Sequence, residues 1–569
     1  MSATKPVDST VSRLRSGGQV LVDQLALQGC RHVFFVPGES YLAVLDALYD
    51  SDITQTICRQ EGGAAMMAEA SAKLTGRPGV CFVTRGPGAM NASAGIHVAQ
   101  QDSTPMILFV GQVARRFRTR GGFQEVDFAA VFGSMAKWVV EIDDPRRIPE
   151  LVSRAYSVAM AGRPGPVVVA LPEDMLVEPV DVVDGRQVMP PAMSCGPREC
   201  EAVAALIGPS ARPLVIVGGS TWKTEDQASL IAFSERYGLP VATSFRRQAL
   251  FPTTHENYVG TLTPAADPVL VDYARSADLV ILIGGLLGEL PSQHYSILSS
   301  PVPRQKLVHV HPGANELNRV YSADHALNCR PGDFLEGMLA RVPRATPVTR
   351  ARRASIAGLR AHVLDWMRPR PQPGELNVTE IIAWLNAEID DDAIVCNGAG
   401  NYATWVHRFY RYTKPGTQLA PISGSMGYGL PAAVAAKRVF PKRQVVAFSG
   451  DGCFMMTGQE FMTAVQYGLP IIDVVIDNGM FGTIRMHQEQ RYPGRVSGTS
   501  VVNPDFAALA RAYGGHGERV ERTEDFAAAF RRAVASGKPA VIHCILDPEA
   551  LTINRSLTAI REQALGAKT

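Results

Sequence analysis

Runs of apolar residues at 33–36, 79–84, 106–110 and 166–171 show no polar alternation, as strands buried on both faces do. Segments with helical spacing, such as 62–74, lie between them. Strand and helix alternate in this way from residue 13 to about 185, which predicts a doubly wound α/β domain on a parallel sheet. The alternation then restarts twice. Apolar runs at 213–217, 277–283 and 306–310 predict a second α/β domain over 195–345. A helix at 378–388, a strand at 393–396 and a closing strand at 540–546 predict a third over 374–550. The expected fold is α/β, three tandem doubly wound parallel-sheet domains. Residues 1–12 read as a flexible tail and 551–569 as a C-terminal tail. Between the domains, 178–212 carries Pro179, Pro190, Pro191, Pro197 and Pro209 and reads as a linker wrapping into the second domain. Residues 341–373 are basic and Pro-rich and read as a solvated connector.

Composition removes several classes of function. At 569 residues the chain has room for three or four domains. Its 56 Lys and Arg nearly balance 54 Asp and Glu, so nothing points to nucleic acid. There is no apolar run long enough to span a membrane and no signal peptide, so a cytoplasmic protein without a membrane partner is expected. The nine cysteines are scattered. Cys195 and Cys200 are the closest pair and lack the second pair that zinc would need, so all nine read as reduced thiols.

The densest chemistry lies between Gly450 and Gly482. An apolar run at 444–449 reads as a buried strand ending in Gly450-Asp451-Gly452. Residues 457–468 read as a helix stopped by Gly468, and a second apolar run at 471–476 ends in Asp477-Asn478. A right-handed strand–helix–strand crossover places both strand ends on one edge of the sheet. Asp451 and Asn478 then stand side by side as hard oxygen ligands, suited to Mg²⁺ or Ca²⁺ held against a diphosphate. Two further loops carry candidate chemistry. Glu61 opens a helix after Thr56-Ile57-Cys58, where an ordinary first-turn acid would also sit. The run from Ser423 to Gly429 precedes a helix at 430–439. A third Gly-rich turn, Arg85 to Asn91, could pass for a dinucleotide loop. It lacks the third glycine, and the next strand ends without a ribose-binding acid.

Gly-Asp-Gly with a paired Asn at this spacing resembles the thiamine-diphosphate signature, in which Asn-Asn closes the motif; Asp477 replaces the first Asn. Three α/β domains with this motif in the last are similar to the acetolactate synthase and pyruvate decarboxylase superfamily: pyrimidine-binding, middle and diphosphate-binding domains. The resemblance spans nearly the whole chain and implies thiamine diphosphate and Mg²⁺ as cofactors. It implies that Gly450, Asp451, Gly452 and Asn478 bind the diphosphate and metal, with the Met480 carbonyl as a third metal ligand. Glu61 matches the carboxyl that holds the pyrimidine N1′, in an apolar pocket expected to strengthen that hydrogen bond. Met426 matches the bulky residue that bends the cofactor so that its own 4′-amino group meets the thiazolium carbon, and Gly424 would offer a carbonyl to that amino group. Asn91 matches a residue that braces the cofactor pocket. Gln112 and Gln124 match loops that line the substrate funnel and Lys137 matches a recurrent Lys of acetolactate synthases, and each is equally well explained as an ordinary capping or surface residue.

The superfamily also implies a homodimer or homotetramer, with Glu61 of one subunit acting on a cofactor held by Asp451 of another. Three departures argue against FAD and against strict acetolactate synthesis. The flavin-binding Arg motif reads Gly284 to Leu290 here and contains no Arg. The family's His-Ile-Asp reads His309-Val310-His311, and no Trp follows Asn478. His487 lies in that last segment and is a candidate for proton transfer or specificity. The implied reaction is addition of the cofactor to a 2-oxo acid and loss of CO₂. The product carbon is then protonated to an aldehyde or attacks a second carbonyl. Carboligation leads, with simple 2-oxo acid decarboxylation or C–C lysis as the alternative. A non-catalytic thiamine-diphosphate-fold binding or regulatory subunit is the reading from another class, and a flavin or NAD oxidoreductase a third.

Overall fold

The computed structural model describes residues 14–341 and 348–567. The tail expected at 1–12 lies outside them. Two compact units divide at Pro191 and Ala192.

The first unit holds one six-stranded sheet, parallel throughout. Its strands are His32–Phe35, Thr54–Ile57, Gly79–Val83, Met106–Gln112, Trp138–Glu141 and Pro166–Pro172. Numbered in chain order, they lie 2-1-3-4-6-5 across the sheet. The central strands are fully buried, as their unbroken apolar runs require. Thr54–Ile57 and Trp138–Glu141 are edges with half-exposed, mixed residues, and apolar patterning did not mark them.

Two helices of this unit matter for the site. Glu61–Thr75 starts under Gln60, whose side-chain oxygen accepts from Gly63 N–H at 3.0 Å, and ends at Gly76 with φ of 67°. Gly86–Asp102 packs against it so closely that a Cβ on Gly95 would sit 2.4 Å from Ala65 Cβ. Lys73, half-buried, bridges buried Glu69 and Asp102 at 2.9 Å each, clamping the far ends of the pair.

The second unit holds two more parallel six-stranded sheets. The middle sheet runs Pro213–Val217, Val241–Ser244, Tyr258–Leu262, Leu279–Ile283, Lys306–Val310 and His325–Leu327, in the order 3-2-1-4-5-6. The last runs Ile394–Asn397, Gln418–Leu419, Val445–Gly450, Ile472–Asp477, His516–Val520 and Ala540–Ile545. Its order is 2-1-3-4-6-5, the same as in the first unit.

Four expectations need correction here. Within the predicted linker at 178–212, Pro197–Ile207 is a helix with proline in its first turn, burying Cys200, Val203 and Ile207. Within the predicted connector, Arg350–Trp366 is a helix capped by Thr349. Its Arg352 is buried and donates to Tyr237 O and Ile207 O, the carbonyl ends of two helices, so a residue read as solvated charge is an internal brace. The predicted C-terminal tail contains the helix Leu557–Gly566. Leu557 and Ile560 join Leu551 in an apolar cluster with Met480 and Met486, and Arg561 grips buried Glu489 through two bonds of 2.8 and 2.9 Å. Finally, the helix predicted at 457–468 begins at Asp451: Asp451–Thr457, a tight turn at Gly458–Glu460, then Phe461–Gln466. Asp451 thus opens a helix instead of closing a turn.

All nine cysteines are buried. Among the described residues no helix is long and apolar enough to cross a membrane.

Candidate active site

In a 2-1-3-4-6-5 sheet the chain reverses direction between strands 1 and 3, and loops leaving those strands part to form a crevice. In the last domain these are the Ala399–Asn401 loop and Gly450-Asp451-Gly452. They line a cavity of ≈ 230 Å³. The flanking strand ends add Asn478 and Leu546, and the Gly424–Met426 loop closes another side. The glycines here answer to close approach. A Cβ on Gly450 would lie 2.9 Å from the Tyr402 ring, and one on Gly452 2.9 Å from Phe481 and 3.4 Å from Met426 Cε. Gly427, beside Met426, donates its N–H to Cys453 Sγ at 3.0 Å, and Tyr402 O–H donates to the same sulfur at 3.1 Å.

Asp451 is only 4 % exposed. Burial pushes its carboxyl up to about 6, and facing Asp477 adds to the rise. Asn503 Nδ2 donates to Asp451 Oδ2 at 2.8 Å and to Asp477 Oδ1 at 2.9 Å. Burial would raise Asp477 as well, but bonds from His543, Gly479 N–H and Asn503 outweigh it and hold Asp477 below the usual carboxylate range. Met480 pairs with Ser500 in a short antiparallel bridge. The flanking bonds, Phe481 N–H to Thr499 O and Val501 N–H to Gly479 O, turn Met480's own carbonyl away from that partner.

In the first unit, Glu61 follows strand 2 and Asn91 sits on the helix after strand 3. Asn91 Nδ2 donates to Glu61 Oε2 at 2.9 Å. A Cβ on Gly88 would lie 3.3 Å from Glu61 Oε1, so the carboxylate rests over that glycine. Buried Gln112 donates to Val126 O at 3.0 Å, shaping the loop that holds Gln124. Gln124 has φ of 62°, and its carbonyl accepts from Gly86 N–H at 3.1 Å, at the start of the Asn91 helix.

Thiamine pyrophosphate enzyme domains match along the chain in order. The N-terminal TPP binding domain matches residues 15–131, the central domain 200–338 and the C-terminal TPP binding domain 398–544. The acetolactate synthase large subunit of Corynebacterium glutamicum is 33 % identical over 96 % of this chain and 91 % of its own. The chain belongs to the thiamine pyrophosphate enzymes. The acetolactate synthase isozyme 2 large subunit of Escherichia coli is 29 % identical, covering 94 % of this chain and 96 % of its own. The acetolactate synthase large subunit of Parasynechococcus marenigrum is 32 % identical, covering 94 % of this chain and 88 % of its own.

The first and last domains each match a TPP binding domain, and the residues of the last domain's cavity suit that cofactor. A deeply buried carboxylate facing a second one calls for a cation, and Asp451, Asn478 and the Met480 carbonyl are hard oxygen donors of the kind Mg²⁺ takes. At the middle domain's switch point, the loops after strands 1 and 4 touch, since a Cβ on Gly219 would lie 1.9 Å from Gly284 O. Trp222 donates to Gly218 O at 2.7 Å and packs with Pro331 beside Gly284.

Two candidates fall elsewhere. Lys137 precedes strand 5 of the first unit, at the N-terminal edge of a parallel sheet whose C-terminal edge leads to Glu61. Its ammonium donates to Val158 O and Ala161 O, capping the C-terminal end of the helix Ile148–Met160. That bond places the ammonium on the edge of the sheet opposite the strand ends that lead to Glu61. His487 is exposed on the helix Gly482–Arg491, which lines the cavity through its first turn. Sequence reasoning missed Asn503 and His543. Asn503-Pro504-Asp505 resembles an ordinary turn, and His543 an interior residue of a buried strand.

Proposed function

We propose that the chain is a thiamine-diphosphate- and Mg²⁺-dependent enzyme that decarboxylates a 2-oxo acid and transfers the remaining acyl unit to a second carbonyl, as its acetolactate synthase relatives are named for doing. The observation that carries this reading is one cavity at the last domain's switch point. It combines the acid and amide of a metal site, a bulky Met426 beside Gly424, and an apolar wall of Ile484, Leu546 and Leu551. Thiamine diphosphate, when bound, supplies an acidic thiazolium carbon that adds to carbonyls and accepts the electron pair left by CO₂. Asp451, Asn478 and the Met480 carbonyl would hold the metal, and Gly450 and Gly452 would let the diphosphate come close to the chain. Met426 would pack against the cofactor, and the Gly424 carbonyl would accept from its 4′-amino group. Glu61, oriented by Asn91, holds a proton at the pyrimidine N1′. The apolar wall keeps water from the reacting carbon, which favours a carbonyl acceptor over a proton.

Glu61 and the diphosphate site come from different subunits of a cytoplasmic homodimer or homotetramer in this proposal. A second reading, simple decarboxylation, is favoured by the absence of Arg from 284–290 and of Trp from 479–488. The deciding experiment supplies pyruvate, thiamine diphosphate and Mg²⁺ and follows CO₂, acetaldehyde and acetolactate together, in wild type and Glu61→Gln. Acetolactate in the wild type, reduced by about 10²–10⁴-fold in the variant, is the expected result. CO₂ with acetaldehyde alone selects the decarboxylase. Thiamine diphosphate bound without turnover of any 2-oxo acid refutes both.

A further inference from the structure

Asn503 is remote in sequence from Gly450-Asp451-Gly452 and from the turn Asp477 to Met480, yet its one amide nitrogen touches both. That nitrogen carries two hydrogens. One bond reaches Asp451 Oδ2 at 2.8 Å and one Asp477 Oδ1 at 2.9 Å. Asp477 Oδ1 also accepts from Gly479 N–H at 2.9 Å, and Asp477 Oδ2 meets His543 Nε2 at 2.9 Å. Because His543 Nδ1 accepts from Phe506 N–H at 3.3 Å, the ring proton sits on Nε2 and is donated to Asp477. Asn503 is itself held in place: the segment before it pairs with Gly479 and Phe481 through the two bonds flanking the Met480 bridge.

We propose that Asn503, backed by Asp477 and His543, is the positioning residue of the divalent-cation site, holding the Asp451 carboxylate in register with the turn that presents Asn478 and the Met480 carbonyl. The proposal rests on the cation-binding role assigned above to those three groups. Two carboxylates this close repel and rotate apart unless a donor lies between them. A neutral amide donating to both holds them without taking the cation's place, and it leaves Asp451 Oδ1 for the metal. The same geometry explains Asp477, where the family signature has Asn. Gly479, Asn503 and His543 all aim donors at this side chain, and a carboxylate accepts on both oxygens whereas an amide accepts on one.

The test uses the full chain with saturating thiamine diphosphate and titrates Mg²⁺ by calorimetry in wild type, Asn503→Ala and Asn503→Ser. Removing the bridge should weaken Mg²⁺ by about 10–100-fold in the Ala variant. The Ser variant, which keeps one donor, should fall between. The melting temperature of the ligand-free protein should change little, while the rise produced by Mg²⁺ with thiamine diphosphate shrinks. Unchanged Mg²⁺ affinity overturns the proposal, as does a lower ligand-free melting temperature with normal Mg²⁺ affinity, which marks a merely structural residue. Absence of Mg²⁺ binding by the wild type also overturns it. If the Ala variant does not fold, the Ser variant decides by the same criteria. No 2-oxo acid enters the titration, so failure of the proposed reaction shows up separately, as intact Mg²⁺ binding without turnover.

Discussion

At the scale of single residues, the site depends on contacts too tight for a methyl group. Gly452→Ala would drive a Cβ to 2.9 Å from the Phe481 ring and 3.4 Å from Met426 Cε. Overpacking of this kind costs about 1–3 kcal/mol. Because both neighbours line the cavity, the cost should appear as thiamine diphosphate affinity lowered by roughly 5–150-fold. Titration of the variant by fluorescence or calorimetry checks this, and unchanged affinity would show that the ring yields freely. Glu61, Asp451, Asn478 and Met426 were singled out as candidates by sequence because each belongs to a short motif of fixed spacing. Asn503 was not, since its partners are carried by other strands and one Asn in a loop has no period to betray it. Lys137 was singled out by its type at a family position, and strand direction puts it on the far edge of its sheet, where it serves a helix end.

Asp473 shows what an element can hide. It lies inside the strand Ile472–Asp477, 0 % exposed, with Ser449 Oγ at 3.0 Å and its second oxygen without a partner. Burial pushes its carboxyl up to about 7. Below an unfolded-chain value of about 3.9 both states hold the proton, and Asp473 adds no pH dependence. Between there and about 7 the unfolded chain releases it and the folded chain does not, so stability falls as pH rises; above that the penalty is constant. The melting-temperature difference between Asp473→Asn and wild type should therefore move in the variant's favour from about pH 4 to pH 7 and then level off. A flat difference would show that Asp473 ionises freely in the fold. Central strands like this one were readable as apolar runs even with an acid inside. Edge strands such as Thr54–Ile57 and His516–Val520 were not, because half-exposed residues lose the pattern that burial imposes. The helix Leu557–Gly566 escaped for a different reason. What orders it is the Arg561–Glu489 pair and an apolar cluster, both formed with residues distant in the chain.

At the scale of the whole molecule, the proposed assembly makes a sharp prediction. Glu61→Gln and Asp451→Ala should each abolish most activity as pure proteins. If each site draws Glu61 from one subunit and Asp451 from the other, a mixed dimer carries one site with both lesions and one with neither. Co-expression of the two variants should then restore activity. If Glu61 and Asp451 of one chain serve the same site, mixing restores nothing. The order of three α/β domains was legible because apolar periodicity restarts at each boundary. The identity of strand order between the first and last domains was not, since sequence shows how many strands there are and not which ones are neighbours. That shared order, 2-1-3-4-6-5 against 3-2-1-4-5-6 in the middle, gives the first and last domains the same switch point between strands 1 and 3. Corresponding strand ends nevertheless carry different residues. Those of strands 3 and 4 lead to Asp451 and Asn478 in one sheet, and to the turn after Val83 and to Gln112 in the other.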